Sequence, residues 1–166
     1  MLFRSKKNIL VLSPFFYPEP ISTGKYNTDI ALKLQEEGHK VTVVYDFPIF
    51  VRGDKERIEQ VLINLIVNSI KYGKINGITS VGIESYNENK FIIKVIDNGE
   101  GIKKEHIPRL FERFYRVDQS RSREQGGSGL GLSIVKHIVE AHNEKVLLKS
   151  TFKKGSEFSF TMKKVK

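Results

Sequence analysis

The sequence contains no cysteine, which excludes disulfides and thiolate chemistry and suits a reducing compartment. It has no apolar run near the ~20 residues that cross a bilayer, and the region 3–16 is too short and interrupted for a secretory signal. These absences predict a cytoplasmic protein with no membrane segment in the chain. An aromatic-plus-basic RNA-binding signature is missing, as is any DNA-reading motif, so no nucleic-acid partner is expected despite a formal charge of +9. That charge reads mainly as a lysine-rich surface, with nucleotide phosphates left as an anion class to consider. At 166 residues, 39% hydrophobic and 28% charged, the chain fits one globular domain with an ordinary core.

What is present centres on residues 54–72, DKERIEQVLINLIVNSIKY. Ile58, Val61, Leu62, Ile63, Leu65, Ile66, Val67 and Ile70 predict a helix buried on most of its circumference. Asp54 is placed as its N-cap, with Glu56 in the first turn. One stripe stays polar: Gln60, Asn64, Asn68 and Lys71 recur every three or four residues and so share a face. Such a stripe is either solvated, paired, or turned toward a ligand.

Before this helix, residues 8–13 (NILVLS) and 41–45 read as strands, and 23–37 as a helix ending at Gly38. The order predicts a βαβ unit with two parallel strands. After the helix, residues 81–86 and 91–96 form a predicted antiparallel hairpin around Asn87-Glu88-Asn89. Asp97-Asn98-Gly99-Glu100-Gly101-Ile102 follows at the strand's end, where glycine lets backbone approach a ligand and Asp97 supplies an acceptor. Residues 103–125 carry seven lysines and arginines among Phe111, Phe114 and Tyr115. They read as a short amphipathic helix pinned by aromatics with a solvated loop, or as a lid whose cations meet phosphates. Then Gly126-Gly127-Ser128-Gly129-Leu130-Gly131 opens a helix with Leu132, Val135, Ile138 and Val139 on one side, an arrangement suited to phosphate. Two closing strands, 145–151 and 157–162, flank Lys153-Lys154-Gly155.

In this order the motifs are specific. The chain from about Asp46 onward resembles the catalytic and ATP-binding domain of sensor histidine kinases, of the gyrase, chaperone, kinase and mismatch-repair ATPase superfamily. The resemblance is carried by IEQVLINLIVNSIKY, DNGEGI, FERFYRVD, GGSGLGLSIVKHIV and GSEFSF. It implies Mg²⁺ coordination by the Asn68 oxygen and phosphate or ribose contacts from Asn64, Lys71 and Tyr72. It also implies that Asp97 accepts the adenine amino group while Gly99, Gly101 and Ile102 admit the base. Gly127, Ser128, Gly129, Leu130 and Gly131 would wrap the phosphates and Arg116 would be the lid cation, with Asn64, Lys71 and Arg116 carrying the catalytic roles.

Two absences qualify that resemblance. Where related hydrolases place a water-activating glutamate one turn before the metal asparagine, this chain has Asn64, so slow hydrolysis and transfer of the γ-phosphoryl are expected. His39, His106, His137 and His142 also lack the context of a phosphoacceptor histidine. Transfer is therefore expected only in trans, to a histidine hairpin on another chain and then to a response regulator. Asn143-Glu144 stands where the family commonly has Gly-Gly.

The first 45 residues resemble the start of the acceptor half of two-domain glycosyltransferases, in ILVLSPFFYPEP and LQEEGHKVTVV, without the nucleotide-sugar half. The expectation is a chimera in which Thr23 to Tyr45 replaces the helix and strand that normally lead into the asparagine helix, with residues 8–13 as an added edge strand. The predicted fold is one α/β domain over 1–166, a two-layer sandwich whose mixed sheet carries helices on one face, with the N-terminal unit merged into it. The alternative function is a non-enzymatic hybrid that binds nucleotide weakly or not at all.

Overall fold

The computed structural model describes residues 8–13, 40–45, 50–117 and 128–165. Runs rich in β-branched residues form β1 Asn8–Ser13, β2 Lys40–Tyr45, β3 Val51–Arg52, β4 Ile78–Asn87, β5 Lys90–Asp97, β6 Val146–Thr151 and β7 Gly155–Lys164. They join in one seven-stranded sheet in the order β2-β1-β4-β5-β7-β3, with β6 also pairing β7. β1 is parallel to β2 and β4, and the other pairs are antiparallel, so the sheet is mixed as expected.

The parallel β1/β2 pair agrees with the sequence reading, but β1 is not the edge strand. Asn8 is opposite both Lys40 and Ile78, so both ladders of β1 are used and β2 takes the edge. The helix expected over 23–37 lies outside the described residues.

Among the described residues two α-helices cover the sheet: α1 Lys55–Tyr72 and α2 Gly131–Ala141. α1 starts at Asp54, whose Oδ1 accepts the Arg57 amide at 3.1 Å, and Glu56 adds a negative charge in the first turn. Its core face is Ile58, Val61, Leu62, Leu65, Ile66, Ser69 and Ile70. These pack with Val135, Ile138 and Val139 of α2 and with Val81, Ile93, Val95, Phe158, Phe160 and Met162 of the sheet. Each large side chain contributes about 1.5–3 kcal/mol by leaving water. Burial on most of the circumference does not occur: Ile63 is 40% exposed and Val67 is half-buried. Among the described residues, α1 packs on the sheet and α2 through one face, and Ile63 lies on the other.

The end of α2 is fastened to the start of α1. Asn143 takes the left-handed conformation, φ 58°, and the amides of Asn143 and Glu144 return to the carbonyls of Glu140 and Val139. Asparagine thus performs the stop that glycine usually performs. His142 donates from Nδ1 to the Ile138 carbonyl (2.7 Å), which fixes its tautomer, and its Nε2 accepts the Asp54 amide (2.9 Å). His142→Ala is expected to cost about 1 kcal/mol in urea unfolding, the size of one net hydrogen bond. An unchanged midpoint would mean that the link between the helices is not energetic.

Glu144 is the other device at this end. Its carboxylate, 3% exposed, pairs with the Lys90 ammonium at 2.7 Å and accepts the Thr161 hydroxyl. The turn after α2 is thereby tied to the first residue of β5.

Candidate functional site

Asp97 ends β5, the strand flanked by β4 and β7. Its cross-strand partners are Thr79 and Ser156, so one row of side chains points from the sheet toward the helices. Both hydroxyls are buried and bonded. Thr79 shares a 2.6 Å hydrogen bond with Ser69 of α1, and Ser156 shares one of 2.9 Å with Ser150. Asp97 itself is half-buried, and its Oδ1 accepts the Gly99 amide at 2.8 Å. Ser156 was not singled out by the sequence reading. The clue was the small polar residues interrupting the apolar alternation of β7.

The loop after Asp97 is clamped by main chain on every side. Asn98 Oδ1 accepts the Ile78 amide (2.9 Å), Ile102 donates its amide to Ser150 Oγ (2.8 Å), and Lys153 donates its amide to the Glu100 carbonyl. A Cβ at Gly99 would lie 2.6 Å from the Tyr72 carbonyl oxygen. At Gly101, with φ 63°, it would overlap the Thr151 carbonyl. The space these glycines leave is therefore taken by the chain's own backbone, which rigidifies the rim around Asp97.

Across from this loop, α2 begins at Gly131. A Cβ there would sit 3.3 Å from Asn64 Oδ1 and 3.9 Å from Asn68 Nδ2, so the polar stripe of α1 faces the N-terminus of α2. Asn64 and Asn68 are half-buried. The two helix starts differ in charge: α1 is capped by Asp54 and followed by Glu56, whereas α2 has no side-chain cap and no acid in its first turn. Its positive end is uncompensated, the condition for holding an anion. Ser128 Oγ accepts the Leu130 amide at 3.3 Å. Gly126 and Gly127 lie outside the described residues, as does the lid segment 118–125.

The described lid starts with a 3₁₀ helix, Lys104–Arg109, and then closes onto the glycine segment. Phe114 (φ 63°) donates its amide to the Gly129 carbonyl at 3.0 Å, and a Cβ on Gly129 (φ 69°) would lie 2.9 Å from the Phe114 Cα. Only glycine fits at 129. Arg116 then comes near the end of α1. Burial and, secondly, the Arg116 charge lower the pKa of Lys71 below its usual 10.5. Burial raises that of Tyr72, against a smaller opposing effect of Arg116.

Arg116 thus lies within electrostatic reach of Lys71, the last member of the polar stripe. Between the lowered value and 10.5 the unfolded chain binds more protons at Lys71 than the folded one, so this residue makes stability rise with pH. Tyr72 opposes it above 10. The difference between wild type and Lys71→Met in unfolding free energy, followed from pH 8 to 10.5, is expected to shrink as pH rises. A constant difference would remove Arg116 and burial as its cause.

Comparison with known proteins gives a consistent picture. The model of the "Histidine kinase-, DNA gyrase B-, and HSP90-like ATPase" family matches residues 53–166. The phosphate regulon sensor protein PhoR of Haemophilus influenzae is 40% identical over 144 residues, covering 87% of this chain and 33% of PhoR. The sensor histidine kinase WalK of Bacillus subtilis is 40% identical over 118 residues, 70% of this chain and 19% of WalK. The chain therefore spans a third or less of these two relatives.

Among solved structures, a mycobacterial sensor histidine kinase, MprB, superposes with a TM-score of 0.63 at 26% identity, over 69% of this chain and 76% of that one. The nucleotide-free catalytic domain of the histidine kinase ThkA does so at 0.62 and 23% identity, over 95% and 79%, a likeness of fold. The match to PhoR is longer than the segment from Asp46 to the C-terminus. It reaches into the first 45 residues and lends the glycosyltransferase resemblance no support.

Proposed function

Because the chain belongs to the histidine kinase-, DNA gyrase B- and HSP90-like ATPase family, we propose that it binds Mg-ATP and presents the γ-phosphoryl group to a histidine on a separate helical hairpin. The observation that carries this reading is the placement of Gly131, at the bare N-terminus of α2, against Asn64 and Asn68 of α1. In this reading Asp97 accepts a hydrogen bond from the adenine amino group and thereby selects adenine. The amides of Ser128, Gly129, Leu130 and Gly131, with Gly127, surround the phosphates. Asn64, Lys71 and Arg116 hold the terminal phosphate, and Tyr72 and Ile102 border ribose and base.

The residues suit a magnesium ion that arrives with the nucleotide. A carboxamide oxygen such as that of Asn68 is a fitting single protein ligand for a hard cation that keeps water and phosphate oxygens. When bound, the ion neutralises phosphate charge. Asn64 is no base, so nothing at that position extracts a proton from water, and cations that hold the phosphoryl group favour its transfer. In the transfer a P–N bond to the acceptor histidine forms as the β,γ-bridging P–O bond breaks and ADP departs.

None of this chain's histidines takes the acceptor role in our reading. His106 is engaged by Tyr115, His142 bridges the helices, His137 is exposed on α2, and His39 lies outside the described residues. A response regulator is the natural onward recipient. No described helix is long and apolar enough to cross a membrane. Calorimetric titration of ATP, ADP and GTP with and without Mg²⁺ tests the proposal. Adenine-selective, Mg-sensitive binding is expected; absence of binding would favour a hybrid that has kept the fold alone.

A further inference from the structure

We infer that His106 is a positioning residue for the phosphate-facing cation Arg116 and acts through the hydroxyl of Tyr115. The inference rests on the nucleotide reading above and adds a residue that this reading does not use. Its basis is that the two lid residues just before Arg116, Phe114 and Tyr115, are each fixed to different neighbours.

Phe114 is locked in the left-handed conformation against Gly129. Next to it, the Tyr115 hydroxyl is 2.8 Å from His106 Nδ1, and the Arg109 guanidinium lies 4.5 Å from the Tyr115 ring centre. Arg109 is in turn held by Glu112, at 3.1 Å. Arg116 follows, and its charge is felt by Lys71 and Tyr72 at the end of α1. The Glu105 carboxylate lies 3.5 Å from His106 Nε2, an arrangement in which Nε2 donates toward the carboxylate and Nδ1 accepts from the Tyr115 hydroxyl.

A left-handed residue on one side and a ring clamped at both face and tip on the other leave little freedom in the backbone that launches the Arg116 side chain. An arginine holding a phosphate must lose much of its rotamer freedom. Fixing its stem beforehand reduces that loss and so strengthens binding. His106 is the only one of these anchors that grips the tip of Tyr115, where a small rotation moves the main chain most. A purely structural role, holding the 3₁₀ helix to the lid, would affect every ligand and the fold alike.

The test is titration of the full chain with ATP and with adenosine, for wild type, His106→Ala, His106→Asn, Tyr115→Phe and Arg116→Ala. His106→Ala and Tyr115→Phe are each expected to weaken ATP about fivefold, the effect of one hydrogen bond, with adenosine affinity unchanged and the ligand-free melting temperature lowered by only about 2–4 °C. His106→Asn, whose amide can reach the place of Nδ1, should recover most of the loss. Adding His106→Ala to Arg116→Ala should weaken ATP no further. Equal losses for ATP and adenosine, or full ATP affinity in His106→Ala while Arg116→Ala is impaired, would overturn the inference. If Arg116→Ala bound ATP like wild type, the assigned phosphate role of Arg116 would itself fail, and this inference with it.

Discussion

Asp97→Asn is expected to weaken ATP binding by about tenfold to a hundredfold while weakening GTP far less, so that the preference for adenine narrows or reverses. The size is that of one hydrogen bond to a charged group. The carboxylate is an acceptor only, and adenine presents an amino donor where guanine presents a carbonyl oxygen. Asparagine can keep the Gly99 amide bonded through its oxygen, as Oδ1 does now at 2.8 Å. The other position then becomes an NH₂ group, which meets adenine donor to donor and guanine as a complement. Asp97→Ala serves as the harsher comparison, since it also strands the Gly99 amide. Calorimetry with both nucleotides decides the matter. If the asparagine variant weakened ATP and GTP to the same extent, Asp97 would be a support for the loop and not the reader of the base.

The second large effect is on folding. Gly101→Ala should lower stability by about 3 kcal/mol or more, with a drop in melting temperature of about 6–12 °C for a domain of this size. Two costs add. A left-handed φ of 63° disfavours any Cβ by about 1–2 kcal/mol, and the new methyl group overlaps the Thr151 carbonyl, which belongs to the β6/β7 hairpin and cannot swing away as a side chain could.

Gly131→Ala is the instructive contrast. Its Cβ would be 3.3 Å from an Asn64 oxygen, a contact that a small side-chain shift relieves, and alanine favours helix. It should leave the melting temperature within a few degrees yet disturb ATP binding through Asn64. Circular dichroism melts of the two variants separate these outcomes. A Gly101→Ala protein as stable as wild type would show that the loop yields where its backbone contacts say it cannot.

Much of this architecture could be read from local pattern. The bounds of α1, its Asp54 cap, the β4/β5 hairpin and the placement of Asp97 at a strand's end follow from periodicity and short-range chemistry, which depend on neighbours in sequence. What escaped depended on distant pairing. Nothing local tells whether β1 lies inside or at the edge of the sheet, since that turns on its ladders to β2 and β4. Ile63 looks like core by composition, and only the way α1 packs through its other face turns it outward.

The site shows the same division. Asn64, Asn68 and Gly131 were each nameable, but their meeting depends on how α2 packs on α1. Gly99 and Gly101 read naturally as openings for a ligand, whereas the structure fills their space with backbone from Tyr72 and Thr151. Ser156 became visible once register placed it opposite Asp97. His106 and Tyr115 are nine residues apart in a stretch without clear periodicity, and their hydrogen bond has no signature in one sequence.

The ion pair between Lys90 and Glu144 has a further consequence for how this protein can change over generations. Lys90 begins β5 and Asp97 ends it, roughly 24 Å apart at the rise of an extended strand, and their side chains leave opposite faces of the sheet. Substitutions so far apart combine additively. A change to the Asn143-Glu144 anchor at one end of the strand is thus expected to leave the surroundings of Asp97 at the other end unaltered. The anchorage is free to be rewritten without disturbing the loop that follows Asp97.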